Sequence, residues 1–310
     1  MNIKFVMARS ITGFVIGDIL GVPYEFKKRG SFCCNGIRAS RLGDAHGPLP
    51  LGSWSDDTSL LLCVLDSLQE FNKEDIYKRW RKNAIRWSWF GKFTNHGYRI
   101  PYDIGQSCRI GIDCMMLHKK NKKADDIKFN GNGGLMRILP LAFVPFSNND
   151  ELLDAIKLFN SCSHNHMISH VCCMVYILLA KNLVEGIPFD MALQKAVDSI
   201  DGEYRIPELD RIWTMKILAA PVEEIRSTGY VVDTLEAAIW CCQQGSGFEE
   251  TVLKAVNLGH DTDTVAAVTG GLAGIMYEEL PKEWVYKIRK LHVLQRACNA
   301  LGIISEKKFL

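Results

Sequence analysis

The sequence predicts an all-α protein, with residues 1–310 forming one domain. Three observations carry this. Apolar residues recur at helical spacing along most of the chain, most clearly as Leu60, Leu61, Val64, Leu65 and Leu68 on one face of a helix over 56–70. No series of alternating apolar and polar runs marks a sheet. The segment 263–278 places Ala266, Ala267, Gly270, Gly271, Ala273 and Gly274 in one apolar helical stretch. A mid-helix glycine costs about 1 kcal/mol against alanine, so this repetition predicts a central helix closely crowded by its neighbours.

The elements follow in order. A first helix over 4–17 leads into the loop Gly17-Asp18-Ile19-Leu20-Gly21-Val22-Pro23-Tyr24-Glu25-Phe26. The helix over 56–70 opens at Ser55-Asp56-Asp57-Thr58, where Ser55 or Asp56 can cap the first turn. A helix over 73–88 follows, with the basic run around 78–82 on one face. The stretch 104–118 is headed by the turn Tyr102-Asp103-Ile104-Gly105. Lys119, Lys120, Lys122 and Lys123 fall in a polar loop over 119–130, ahead of the glycine-rich turn Gly131-Asn132-Gly133-Gly134-Leu135-Met136-Arg137. Arg137 is expected as a structural ion-pair partner. Helices over 150–161 and 166–183 flank a polar knot of Ser161, Ser163, His164 and His166, in which one histidine caps the second helix and the other is exposed. Helices over 188–199, 208–219, 232–243, 248–257, 263–278 and 282–293 complete the chain, with a polar loop over 200–207. No boundary divides it.

Hydrophobic residues make up 47% and charged residues 23%, the ordinary proportions of a globular chain, and the formal net charge of +2 gives no basic field for nucleic acid. The eleven cysteines are odd in number. Their adjacent pairs Cys33-Cys34, Cys172-Cys173 and Cys241-Cys242 form no zinc spacing, and several lie in apolar helical runs. A reduced, cytoplasmic protein is expected. No cleavable leader is evident, and no uncharged apolar run reaches the ~18 residues of a membrane span. The expected state is a monomer with no membrane partner.

The chemistry concentrates in two clusters, Ser55-Asp56-Asp57-Thr58 and Asp261-Thr262-Asp263-Thr264, each running into an apolar helix. Carboxylates with hydroxyl neighbours are hard oxygen donors, suited to Mg²⁺, Mn²⁺ or Ca²⁺. Four carboxylates brought together repel one another unless cations neutralise them, and two divalent ions fit the count. The plainer alternative is that they are first-turn residues favoured by the helix dipole. The glycines at 131, 133 and 134 permit close backbone approach to a ligand, or mark an ordinary turn.

Read together, these segments resemble the ADP-ribosylglycohydrolase family. The resemblance runs in order through G-D-I-L-G-V-P-Y-E-F, W-S-D-D-T, D-I-G, G-N-G-G-L-M-R, S-C-S-H, G-Y-V-V-D-T-L-E-A-A and G-H-D-T-D-T, over about residues 8–278. It implies a compact helical fold with two Mg²⁺ or Mn²⁺ ions on Ser55, Asp56, Asp57, Asp261, Asp263 and Thr264, with Asp18 and Thr58 nearby. It implies Asp103 and Glu25 as candidates for proton transfer; the plainer roles are a helix cap and a surface carboxylate. Gly131, Asn132, Gly133, Met136, His164, Gly229 and Tyr230 fall on family positions that surround ADP-ribose. The implied reaction is metal-dependent hydrolysis of the glycosidic bond joining ADP-ribose to a protein side chain, arginine first. Serine-linked ADP-ribose, O-acetyl-ADP-ribose, and a non-catalytic ADP-ribose-binding or structural role are the alternatives. The expected partner is an ADP-ribosylated protein or a small ADP-ribose conjugate. Two positions depart from the family. Ser55 stands where threonine is usual. His260 stands where glycine is usual, and its side chain is expected to crowd the substrate entrance or add a donor there. Tyr230 either stacks on a ligand ring or packs on the following helix. Trp54 either shapes the rim or covers the core.

Overall fold

A computed structural model describes residues 3–70 and 72–299. Met1, Asn2, Phe71 and residues 300–310 of the expected single domain lie outside the described residues. Helices α1 (Ile3–Gly21), α2 (Asp56–Ser67), α3 (Lys73–Phe90), α4 (Gln106–Met116), α5 (Asn149–Asn160) and α6 (Met167–Val184) fill the first part of the chain. Then come α7 (Phe189–Asp198), α8 (Asp210–Trp213), α9 (Val231–Gln244), α10 (Phe248–Asn257), α11 (Thr262–Met276), α12 (Lys282–Lys287) and α13 (Leu291–Asn299). Among the described residues there is no strand, only isolated bridges. The fold is all-α, as the apolar spacing predicts.

Two expected helices are broken. The stretch 208–219 is one turn of α8 followed by a 3₁₀ turn, because Met215 adopts a left-handed backbone with φ +60°. The stretch 282–293 divides into α12 and α13 where Ile288 is extended and Lys290 turns left-handed at φ +53°. A third difference concerns membrane-span length. By length and composition, α1 with its following turn and α6 are apolar enough to cross a membrane, which counting unbroken uncharged runs missed. In each, 78% of the apolar window is buried inside the protein, so packing accounts for their composition. All eleven cysteines are free thiols.

The centre of the molecule is an antiparallel pair, α1 against α11, the most extensive helix contact in the fold. Glycines let the two backbones touch. A Cβ on Gly13 would lie 2.4 Å from the carbonyl oxygen of Gly270, and one on Gly17 would lie 2.0 Å from that of Ala266. The crowding expected of α11 is therefore real. Its partner stripe on α1, at four-residue spacing, runs past the helix expected over 4–17: the stretch 17–21, expected as a loop, is the last part of α1. Polar bonds lock the register: Ser10 Oγ donates to Gly271 O at 2.8 Å, and Arg9 Nε donates to Gly274 O at 2.7 Å. At the other end Gly21 presses on the backbone of Asp263, and Thr262 Oγ1 donates to Gly21 O at 2.8 Å. The seam thereby brings the start of α11 to the end of α1. Helices α2, α6, α9 and α10 pack around it.

Candidate active site

The first turn of α2 is built on a buried carboxylate from α1. Asp18 accepts the backbone N–H of Ser55 at 3.0 Å, that of Thr58 at 3.1 Å, and the Thr58 hydroxyl at 2.5 Å. Ser55 is the N-cap of α2; its Oγ accepts from Asp57 N at 3.2 Å and donates to Asp57 Oδ2 at 3.0 Å. The first turn of α11 faces it, with Thr264 Oγ1 3.4 Å from Asp57 Oδ2. Two helix N-termini thus converge, each favouring negative charge in its first turn.

Between them lies a cavity of about 390 Å³. Asp56, Asp57, Asp261, Asp263 and Thr264 line it, together with Glu25 and Asp103 and with Gly131, Asn132, Gly133, Met136 and His164. Ser55 does not line it, and its hydroxyl is engaged with Asp57. Burial, reinforced by the mutual repulsion of the carboxylates, pushes Asp57, Asp103 and Asp263 well above the usual range. Asp18 is pushed up to about 6 by burial against the opposing hydrogen bonds, and Asp56 to about 6 by burial. Glu25 rises to about 10, from burial and then from Asp103 and Asp261.

The donors fit a divalent cation. Asp57 Oδ1 and Asp263 Oδ1, one from each cluster, are buried with no hydrogen-bond partner. A buried carboxylate oxygen left bare is costly unless a cation or donor meets it. Glu25, Asp261 and Asp263 also bring one carboxylate oxygen each within 4.8 Å of the others. These groups can coordinate divalent metal.

Asp103 and Glu25 share a partner that the sequence reading missed. His46 Nε2 makes a short hydrogen bond with Glu25 Oε2 and lies 3.7 Å from Asp103 Oδ2. Glu25 is buried, not a surface carboxylate. Asp103 does not cap α4, whose N-cap is Gly105 with no side-chain bond; instead Gly105 N donates to Asp56 Oδ2 at 3.2 Å. His46 sits on the irregular segment between α1 and α2. Lys27 and Arg38 both pair with Asp44 there, at 2.7 and 2.8 Å, and Arg38 lies over the Tyr24 ring. A loop this long without regular structure is itself a functional signal.

The glycine turn is tied to the second cluster. Asn132 Nδ2 donates to Asp261 Oδ2 at 2.8 Å, and Asn132 N donates to Gly229 O at 2.9 Å. Gly229 has room for little else, since a Cβ there would lie 3.2 Å from Asp261 Oδ2. Tyr230 bridges Gly131 through its backbone, but its side chain packs on the core and lines a neighbouring cavity with Arg211 and Glu236. Trp54 is a core residue whose Nε1 donates to Phe93 O at 2.9 Å. His166 caps α6, accepting from Ile168 N at 3.2 Å. The other histidine, His164, is buried, contrary to the expectation of an exposed ring.

The sequence profile described as ADP-ribosylglycohydrolase matches residues 7–308. The chain belongs to the ADP-ribosylglycohydrolase family. The family acts on ADP-ribose conjugates, and the chain is a hydrolase of that type. It is 30% identical, over 94% of its length and 76% of the relative's, to the ADP-ribosylarginine hydrolase Tri1 of Pseudomonas putida (strain GB-1). It is 26% identical, over 89% of its length and 87% of the relative's, to the ADP-ribosyl-[dinitrogen reductase] glycohydrolase of Rhodospirillum rubrum. A solved structure titled "ADP-ribosylglycohydrolase-related protein complex" superposes with a TM-score of 0.77 at 27% identity, covering 98% of this chain and 99% of that one.

Against the ADP-ribosylglycohydrolase pattern, the His260 departure has a backbone explanation. His260 adopts φ +61°, the left-handed region where glycine is unstrained. Its side chain is exposed and does not line the cavity. Its backbone stitches two loops: Phe26 N donates to His260 O and His260 N donates to Lys27 O, both at 2.7 Å. It neither crowds the cavity nor adds a donor to it.

Proposed function

We propose that this protein hydrolyses the bond between the distal ribose of ADP-ribose and the guanidinium of an arginine side chain, with two Mg²⁺ or Mn²⁺ ions held by Asp56, Asp57, Asp261, Asp263 and Thr264. The observation that carries the reading is the pair of bare, buried oxygens, Asp57 Oδ1 and Asp263 Oδ1, supplied by opposed aspartate clusters at one cavity. Bound there, the ions would supply Lewis-acid charge to orient the ribose hydroxyls. Glycosidic cleavage develops oxocarbenium-like charge, which the surrounding carboxylates stabilise. Asp103 and Glu25 are the groups that hold and move the proton, with His46 between them. Burial and the neighbouring carboxylates raise the affinity of both groups for a proton, so each can hold one near neutral pH. The arginine linkage is favoured by two relatives named ADP-ribosylarginine hydrolase Tri1, at 30% and 29% identity.

The test is incubation with ADP-ribosyl-arginine, ADP-ribosyl-serine and O-acetyl-ADP-ribose, with Mg²⁺ or Mn²⁺ and with EDTA. Metal-dependent release of ADP-ribose, fastest from the arginine conjugate, is expected. Faster release from serine or acetyl conjugates would overturn the linkage assigned. No release from any of the three would overturn the reaction.

A further inference from the structure

Behind the cavity wall lies a buried guanidinium that the proposed reaction does not use. Arg137 is fully buried, and among the described residues no carboxylate lies within ion-pair distance of it. It is therefore not the ion-pair partner expected from the sequence. Its Nε donates to Asn160 Oδ1 at 3.0 Å and its Nη2 donates to Ser163 Oγ at 2.7 Å, while the group stands 5.4 Å from the Trp80 ring centroid. Ser163 Oγ in turn lies 2.8 Å from His164 Nδ1.

Donor and acceptor counting orders this chain. A guanidinium N–H can only donate, so Arg137 occupies a lone pair of Ser163 Oγ. The one hydroxyl proton of Ser163 is then directed to the best acceptor in reach. That acceptor is the ring nitrogen at 2.8 Å, since the Cys162 thiol at 3.7 Å is itself a weak donor to the Ser163 oxygen. His164 Nδ1 accepts, and the ring proton resides on Nε2. Burial, and then the charge of Arg137, hold His164 well below its ordinary range, so the ring stays neutral. The Nε2 edge faces the glycine turn: a Cβ on Gly133 would lie 3.1 Å from Nε2, and one on Gly131 would lie 3.6 Å from it. Both glycines, with His164, line the cavity.

We infer that Arg137 and Ser163 fix His164 as the Nε2–H tautomer, so that the ADP-ribose contact which the family resemblance already implies for His164 is made through a hydrogen-bond donor. Arg137 and Ser163 are positioning residues in this arrangement, and His164 is the contact. The identity of the acceptor rests on the ADP-ribose reading above; the tautomer does not.

The tautomer is read from two-bond ¹H–¹⁵N spectra of protein labelled at histidine, with His164→Gln assigning the resonance. Wild type is expected to show a protonated Nε2 and an unprotonated Nδ1. A protonated Nδ1 would overturn the relay. Ser163→Ala removes one oxygen and keeps the packing; it is expected to lose the tautomer preference, and an unchanged Nε2–H would overturn the relay as well. Calorimetric titration with ADP-ribose should give roughly tenfold weaker binding for Ser163→Ala than for wild type, the scale of one hydrogen bond. Equal affinity would overturn the donor role. If wild type fails to bind ADP-ribose, the acceptor assigned here falls with the ligand reading, and the spectra alone decide the relay.

Discussion

At the scale of single residues, the site separates groups recognisable by type and spacing from groups placed only by folding. Asp56, Asp57, Asp261 and Asp263 announce themselves, because paired carboxylates beside hydroxyls have few bland uses in duplicate. His46 does not: it is a lone histidine in an aperiodic stretch, and only the path of the loop sets it against Glu25 and Asp103. His46→Ala should lower turnover about 10–100-fold, the usual loss when a partner that orients an active group is removed. It should leave the melting temperature nearly unchanged. Steady-state kinetics beside a thermal melt check this, and wild-type turnover would remove His46 from the chemistry. His260 makes the opposite case. Its departure from glycine reads as a change of substrate contact, yet its φ of +61° makes it a matter of backbone strain. His260→Gly should stabilise the protein by about 1 kcal/mol, the cost of a left-handed turn in a residue with a Cβ. Denaturant titration measures that gain. Relative rates on arginine, serine and acetyl conjugates should stay the same, since the side chain lies outside the cavity.

At the scale of elements, most helices follow from apolar spacing, and the failures have a common cause. Around 208–219 and 282–293 the pattern continues while the backbone breaks at Met215 and Lys290, left-handed positions that nothing in those side chains foretells. The α1–α11 seam was half legible: the glycines of α11 stand out, whereas those of α1 gain meaning only once the partner is known. Gly17→Ala tests the seam. Its Cβ would lie 2.0 Å from the Ala266 carbonyl oxygen, so the helices must part. The expected cost is about 1–3 kcal/mol or more, with weakened Mn²⁺ binding because α11 carries Asp261 and Asp263. Gly202→Ala is the control, since a Cβ there meets nothing within 4 Å. Chemical denaturation of both variants, with Mn²⁺ titration of each, would refute the seam if they behaved alike.

At the scale of the whole molecule, the crowded carboxylates couple folding to pH and, on the metal reading proposed above, to divalent cations. Folded Asp18 and Asp56 sit at about 6 against an ordinary 3.8, and Glu25 at about 10 against 4.5. With raised values, the folded protein binds more protons than the unfolded chain, so these groups make stability fall as pH rises. In EDTA the melting temperature should therefore drop between pH 5 and pH 8. Below that window groups held low, such as Asp66, lose their ion pairs and work in the other direction. Saturating Mg²⁺ or Mn²⁺ should raise the melting temperature most at pH 8, because cations favour the ionised carboxylates. A flat profile in EDTA, or no metal effect, would count against the centre. The seam between the first helix and the eleventh has one more consequence, for synthesis on the ribosome. Helix α1 emerges well ahead of α11, and the surface it must cover is made more than 200 residues later. Until then its glycine stripe faces no partner, and neither aspartate cluster has its counterpart. A nascent chain halted before α11 has no cavity to complete, so hydrolytic competence arrives late in translation and all at once.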